Sequence, residues 1–223
     1  MLGGALFLTV AVVLFEPLTA LSLHALTQFT GNTIRIFAFR KTISFSFSVW
    51  YVLGIALAIV PSIWAIKTFS DKDLLQPLIG FVILLSALIS LFAPEKTNLT
   101  NVKGLGTSAG FISLFVGSFA GAVGPVVSSF FIWAGLRKER LVGTKAFCQA
   151  INHLTRIILY STTAKHLDLS SAHLGIAMIP GLFLGTAAAK RCLPYFTAKG
   201  HKNLIVFSLI LFAVFLFAEP YFK

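Results

Sequence analysis

The chain has 223 residues, of which 57% are hydrophobic and 11% are charged, whereas a soluble domain carries about 25% charged residues. This composition excludes an ordinary soluble domain and indicates an integral membrane protein. The net charge of +11 would suggest a nucleic-acid partner in a soluble chain. Here the basic residues lie in short loops between apolar runs, so no nucleic-acid partner is predicted.

The apolar runs predict an all-α fold. The first element, about Gly3–Phe15, is short for an independent span at about 1.5 Å per residue. The later runs have lengths that suit helices crossing a hydrocarbon core about 30 Å thick. These runs are Val52–Ile66, Leu74–Phe92, Gly106–Ala120, Leu174–Ala189 and Leu204–Ala218. We predict a polytopic helical membrane protein that forms one transmembrane domain over residues 1–223.

The charges of the loops predict a topology. The loops around Arg40, Lys96, Arg137 and Lys190 are basic, and the loops between them carry the acidic residues. Because short basic loops stay in the cytoplasm, we place these four loops inside and the C-terminus outside. The predicted location is the bacterial inner membrane, with multiple spans.

The sequence repeats at a constant offset of 121 positions. Three landmarks recur at this offset: Gln28 at Gln149 (149 − 28), Arg35 at Arg156 (156 − 35), and Leu53-Gly54-Ile55-Ala56 at Leu174-Gly175-Ile176-Ala177. The shared register predicts two homologous halves, at about 1–93 and about 106–223, joined by a cytoplasmic linker at about 94–105. Equivalent loops carry opposite charge, as at Glu16 and Arg137. This reversal is the pattern of inverted-topology repeats.

The first half has no counterpart of Gly106–Ala120, because Met1 aligns near residue 122 of the second half. Two interpretations stay open. The protein has lost one helix, or the sequence begins at a late start site.

Glycines and a proline interrupt the apolar segment Gly117–Pro125, which predicts a broken helix. In a membrane, freed backbone groups are tolerated only beside protein or a water-filled cavity, and the N-terminus of a half-helix attracts anions. This segment is therefore predicted to line a substrate site. The alternative is close helix packing through Gly117 and Gly121.

Each half carries one stripe of polar side chains at positions i, i+4 and i+7 of a helix. The stripes are Gln28, Asn32 and Arg35, and then Gln149, His153 and Arg156 with Asn152 adjoining. An arginine inside a membrane helix costs at least a few kcal/mol, so it should face a cavity or a partner. The alternative is an arginine that reaches the headgroups, which fits Arg35 better than Arg156 because Arg40 lies near Arg35.

The chemistry of the stripes favours an anion. Apart from Glu16 at a boundary, the apolar segments contain no carboxylate, so they offer donors that suit an oxyanion and no ligands for a cation. His153 is a proton carrier, an anion donor or a buried hydrogen-bonding residue. Lys145 adds to this field or belongs to the cytoplasmic basic loop. Cys148 and Cys192 are interpreted as small apolar residues, and no metal or cofactor is predicted.

Several motifs resemble the sulfite exporter TauE/SafE family. They are Gly110-Phe111-Ile112-Ser113, the segment Gly117–Pro125, Gly135-Leu136 and Val142-Gly143-Thr144-Lys145, and the stretches around Gln28 and Gln149 are similar to one subgroup. The family's glycine triplet is here reduced to Gly121-Ala122-Val123-Gly124. The resemblance covers most of the chain and implies transport of small sulfur-containing anions or related organic anions.

The repeat, the stripes and the resemblance together predict a transporter that moves a small anion by alternating access. Its substrate would be sulfite, an organosulfonate or a related sulfur-containing or carboxylate anion. The predicted substrate-binding residues are Gln28, Asn32, Arg35, Gly124, Pro125, Thr144, Gln149, Asn152, His153 and Arg156. The predicted partners are this anion and membrane lipid, and a homo-oligomer is compatible with the sequence.

Other functions stay open. A non-transporting membrane scaffold fits the missing helix, and an anion channel would use the same polar stripes. A membrane enzyme is disfavoured because the interior offers neither paired carboxylates nor a Ser/His/Asp arrangement.

Overall fold

The computed structural model of the protein describes residues 2–68, 72–92, 101–121, 123–164, 177 and 179–192, and the single positions 207, 210, 211 and 214. The regular elements in this part of the chain are all helical. They are α1 (Leu2–Leu14), α2 (Pro17–Phe39), a 3-10 turn (Arg40–Thr42), α3 (Phe45–Thr68), α4 (Lys72–Phe92), α5 (Val102–Ala120), α6 (Gly124–Trp133), α7 (Lys138–Leu159), a π turn (Tyr160–Ala164) and α8 (Ile179–Cys192).

These helices cover most of the predicted apolar runs. The runs at Val52–Ile66, Leu74–Phe92 and Gly106–Ala120 lie within α3, α4 and α5, and α8 overlaps Leu174–Ala189. Leu204–Ala218 lies largely outside the described residues. Among the helices searched, α3 and α5 are long and apolar enough to cross a membrane. Large apolar side chains such as Val60, Phe37 and Trp64 are exposed, which is typical of a surface that faces lipid.

The tightest helix pair is α3 with α5, and glycines allow it. A Cβ atom added to Gly54 would collide with the carbonyl oxygen of Thr107, and one added to Gly110 would collide with that of Tyr51. Small residues let two membrane helices bring their backbones together, so that van der Waals contact holds the pair. The α3–α5 pair forms one wall of the buried interior.

The second main pair, α2 with α7, is antiparallel. At one end, a Cβ atom added to Gly143 near the start of α7 would lie 2.9 Å from the carbonyl oxygen of Phe39 at the end of α2. Further along the pair, the rings of His24 and His153 contact each other edge to face. The two helices begin at Pro17 and Lys138, which are the same 121 positions apart as the landmarks in the sequence (138 − 17).

The chain changes direction sharply between α5 and α6. Helix α5 ends at Ala120, and Gly121 caps it with a φ of 72° and an N–H that donates to the carbonyl of Gly117. Helix α6 then begins at Gly124 with a proline in its first turn, where the missing N–H of proline has no helical partner to lose. The C-terminus of α5 and the N-terminus of α6 therefore lie next to each other inside the protein.

Candidate functional site

Arg156 of α7 is 1% exposed, and its guanidinium lies at the C-terminal end of α5. Its Nε and Nη2 atoms donate to the hydroxyl oxygen of Tyr160 at 3.2 and 2.9 Å, and Nη1 donates to the carbonyl of Gly121 at 3.4 Å. The hydroxyl of Tyr160 donates in turn to the carbonyl of Ser118 at 2.7 Å. A cation at the end of a helix interacts favourably with the helix dipole, so Arg156 stabilises the end of α5.

Lys145 of α7 lies beside the start of α6. Its Nζ donates to the carbonyl of Gly124 at 3.2 Å and to the hydroxyl of Ser128 at 2.5 Å. The N–H groups of the first turn of a helix have no partner within the helix. Of the first residues of α6, Pro125 has no N–H and Val127 donates to the carbonyl of Val123. The lysine lies beside a helix N-terminus, which is an arrangement that attracts anions.

His24 of α2 lies beside the start of α1, as Lys145 of α7 lies beside the start of α6. Its ring donates a hydrogen bond to the backbone of Gly4 and stacks against Phe7 with ring centroids 6.4 Å apart. His24 precedes Lys145 by 121 positions (145 − 24), so two basic residues separated by the offset of the sequence landmarks contact the first turns of α1 and α6.

His24 and His153 face each other in the middle of the α2–α7 pair. Their ring centroids are 5.7 Å apart in an edge-to-face arrangement. Both side chains are buried, at 3% and 4% exposure, and the Nδ1 atom of each has no hydrogen-bond partner. Buried polar atoms normally have a partner, so these two unpaired nitrogens on neighbouring rings could each bond a ligand.

Arg35 of α2 completes the set of basic groups. It is half-buried, and its Nη1 donates to Oδ1 of Asn32 at 2.6 Å. The charges of Arg156, Arg35 and Lys145, together with the His24 ring, all act on His153, and the charge of Arg156 also acts on His24. We call this set the basic cluster: His24, Arg35, Lys145, His153 and Arg156.

The acidic residues in the described part of the chain are at the ends of helices. Glu16 immediately precedes α2, Asp73 is in the first turn of α4, and Glu139 is in the first turn of α7. The charged groups that act on His153 are all basic. A buried group of this charge, in a helical interior, attracts an anion.

The amides of the second stripe contact α3 and α5. Nε2 of Gln149 donates to the hydroxyls of Tyr51 and Ser113 at 3.2 Å each, and Nδ2 of Asn152 donates to Ser113. Oδ1 of Asn152 is buried without a partner. These amides join α7 to the α3–α5 wall. Both N–H donors of Gln149 and one of the two donors of Asn152 are used in these bonds.

Three further residues that the sequence predicts to bind substrate lie in three different places. The Thr144 hydroxyl accepts the backbone N–H of Ser44 at 2.9 Å, which joins α7 to the start of α3 and not to the basic cluster. The half-buried Gln28 lies against α1, where a Cβ atom added to Gly4 would be 2.8 Å from its Nε2. Pro125 is in the first turn of α6, and its side chain lies outside the described residues.

The described residues contain no group of three or more His, Cys, Asp or Glu side chains placed to hold a metal ion. Cys148 is a buried free thiol whose Sγ lies 3.5 Å from the hydroxyl of Ser48.

A profile of the family described as "Sulfite exporter TauE/SafE" matches residues 1–216. The chain belongs to this family. No curated protein and no solved structure matches it. The match confirms the TauE/SafE resemblance seen in the motifs. Members of the family are membrane transporters of sulfite and related anions, which supports a membrane location and a function in anion transport.

Two residues of the basic cluster are not among the predicted site residues of this TauE/SafE member. The sequence does not single out His24, because a single histidine in an apolar helix carries little information by itself. For Lys145 the sequence supports two interpretations, a role in the site or membership of the cytoplasmic basic loop. The sequence feature that could have identified both residues is the repeat register. His24 and Lys145 are separated by the same 121 positions as Arg35 and Arg156.

Proposed function

We propose that this chain moves a small oxyanion, sulfite or an organosulfonate or a related sulfur-containing or carboxylate anion, across the bacterial inner membrane by alternating access. The observation that carries the proposal is the basic cluster. Three cations, of which Arg35 is half-buried, lie close to two buried histidines, and among the described residues the charges that act on His153 are all basic. Uncompensated positive charge is costly in a membrane interior, and a bound anion would lower that cost.

The donors of the cluster suit an oxygen-rich ligand. Arg156 uses three of the five N–H donors of a guanidinium in its described bonds, and Arg35 uses one. The start of α6, beside Lys145, would add the backbone N–H of Gly124. A planar guanidinium binds the oxygens of sulfite or a sulfonate with short, charge-assisted bonds.

The arrangement of basic residues also supports inverted repeats. Arg35 and Lys145 act electrostatically on one another, as do Arg156 and His24. Under the offset of 121 positions these two pairs are equivalent, with Arg35 matching Arg156 and Lys145 matching His24. Equivalent pairs on two antiparallel helices are what a two-fold axis in the membrane plane produces.

Alternating access follows from this symmetry as the mechanism that we propose. Each half would present one pair of basic residues and one helix N-terminus to the same anion, from opposite sides of the membrane. Small movements of α1 and α6 against the α3–α5 wall would open one side while closing the other. The predicted topology, with the C-terminus outside, belongs to this proposal and is checked by reporter fusions to Lys223.

The test is uptake of labelled sulfite into proteoliposomes. Wild-type protein should give saturable flux, and Lys145→Met should reduce it more than about tenfold, because a charge-assisted bond contributes about 1.5–3 kcal/mol. Lys41→Met is the matched control, since Lys41 is exposed beyond the end of α2. Flux that rises linearly with concentration would indicate a channel. Absence of flux with retained anion binding would indicate a scaffold.

A further inference from the structure

His24 and Lys145 occupy equivalent positions, but their side chains differ in one respect. Each contacts the first turn of the short helix beside it, at Gly4 of α1 and Gly124 of α6. A lysine side chain in its ammonium form carries a positive charge at that position. A histidine brings one only when both ring nitrogens carry a proton.

The hydrogen bonds of His24 fix which nitrogen is available. Its Nδ1 is buried without a partner, so the donor to the backbone of Gly4 is Nε2. In the neutral ring, a donating Nε2 leaves Nδ1 as a lone pair. A lone pair repels an anion, whereas a protonated Nδ1 would donate to it. His24 can therefore join the anion site only after it takes up a proton.

The surroundings link that proton to the anion. The charged and titratable groups that face the pair of histidines come from α2 and α7: Arg35, Lys145 and Arg156, with Tyr160 held between Arg156 and Ser118. The described parts of α1 and α6 contain no titratable side chain, and Lys103 of α5 lies over Trp50 of α3. A further proton in this field is opposed by three cations until an anion compensates it.

We propose that His24 takes up one proton at Nδ1 with each anion bound, so that the two cross the membrane together. The proposal rests on the anion transport proposed above. One proton and one monovalent anion add no net charge to the site. Because the linkage is reciprocal, the proton strengthens anion binding as much as the anion strengthens proton binding. Anion affinity should therefore fall as the pH rises, by up to about tenfold per pH unit.

The test is titration calorimetry with methanesulfonate, whose single charge stays constant between about pH 5 and pH 8, the range in which histidine changes its charge. Measurements in buffers of different ionisation enthalpy count the protons taken up. Wild-type protein should take up as much as about one proton per anion. His24→Gln keeps a donor for Gly4 but should take up none. His24→Lys should bind without proton uptake and with an affinity independent of pH.

Ser22→Ala is the control, because Ser22 is a buried residue of α2 whose hydroxyl bonds its own helix at Leu18. It should behave like the wild type. Wild-type binding without proton uptake would overturn the proposal, as would unchanged uptake in a folded His24→Gln protein. Loss of uptake only in His153→Gln would overturn the assignment to His24. If neither sulfite nor methanesulfonate binds the wild type at any pH, the proposed transport function fails and not merely the proton coupling.

Discussion

The two arginines that the repeat register makes equivalent have different surroundings. Arg156 is fully buried, and three of its donors bond the hydroxyl of Tyr160 and the carbonyl of Gly121. Arg35 is half-buried, and its described hydrogen bond runs to Asn32, one turn earlier on its own helix. Arg156 therefore joins α7 to another helix, whereas the described bond of Arg35 stays within α2.

This difference indicates a division of roles between the two residues. A guanidinium that is largely bonded to protein holds its neighbours in place and contributes its charge to the site from a fixed position. A guanidinium with four of its five donors outside its described bond can contact a ligand directly. We infer that Arg156 is mainly a positioning residue and that Arg35 contacts the anion.

Arg156→Ala should have the largest effect on stability. The substitution leaves a cavity, removes the cation from the end of α5, and takes the donors away from Gly121 and Tyr160. We expect a loss of about 3 kcal/mol in the free energy of unfolding, measured in mixed micelles, together with loss of sulfite flux. Arg40→Ala is the control, since Arg40 is exposed in the turn after α2, and it should change stability by less than about 0.5 kcal/mol. Unchanged stability in Arg156→Ala would contradict the role of Arg156 in holding the end of α5.

Gly121→Ala tests the turn that Arg156 holds. Gly121 has a φ of 72°, and an added Cβ atom would lie 2.5 Å from Cδ2 of Leu8 and 2.8 Å from Cδ2 of Leu21. Backbone strain of this kind costs about 1–3 kcal/mol, so we expect a loss of about 2 kcal/mol. Gly185→Ala is the matched control, because nothing lies within 4 Å of its added Cβ. Alanine there should be neutral or stabilising by up to about 1 kcal/mol.

Much of the fold was predictable because the length of each apolar run can be counted in the sequence. The runs inside α3, α4 and α5 needed only a count of residues against the thickness of a bilayer. The end of α5 was also visible, since the glycines and the proline at Gly117–Pro125 disfavour a continuous helix. The pairing of α3 with α5 was not predicted, because it depends on which glycine faces which backbone across the interface, and that is a property of packing.

The site was predictable in part. Helical spacing placed Gln149, His153 and Arg156 on one stripe, but it could not show that Gln149 and Asn152 turn toward Ser113 while His153 turns toward His24. Thr144 was predicted from a motif, and its hydroxyl bonds Ser44. Spacing fixes which residues share a face of a helix. Which neighbour each of them meets depends on the position of the other helices.

Tyr160→Phe tests the link between Arg156 and α5 with a smaller change. The phenol hydroxyl accepts two bonds from Arg156 and donates one to Ser118, so its removal should cost about 1 kcal/mol. The guanidinium keeps its charge, and anion affinity should change little. In the double variant with Arg156→Ala, the loss in the free energy of unfolding should be smaller than the sum of the two single losses, because the two residues form one network. Strict additivity of the two losses would show that they act independently.

Arg35→Ala should have the smallest effect on stability and a large effect on binding. Because the described bond of Arg35 stays within its own helix, we expect a change of less than about 0.5 kcal/mol in unfolding. If Arg35 contacts the anion, loss of a charge-assisted bond should weaken sulfite binding by about tenfold or more. Arg40→Ala, five residues further along the chain and exposed, controls for the general loss of one positive charge. Calorimetry and unfolding on the same preparations separate the two arginines: Arg156→Ala should lose stability, and Arg35→Ala should lose affinity. Equal losses of both quantities in the two variants would mean that the arginines share one role, with each holding the fold and the ligand alike.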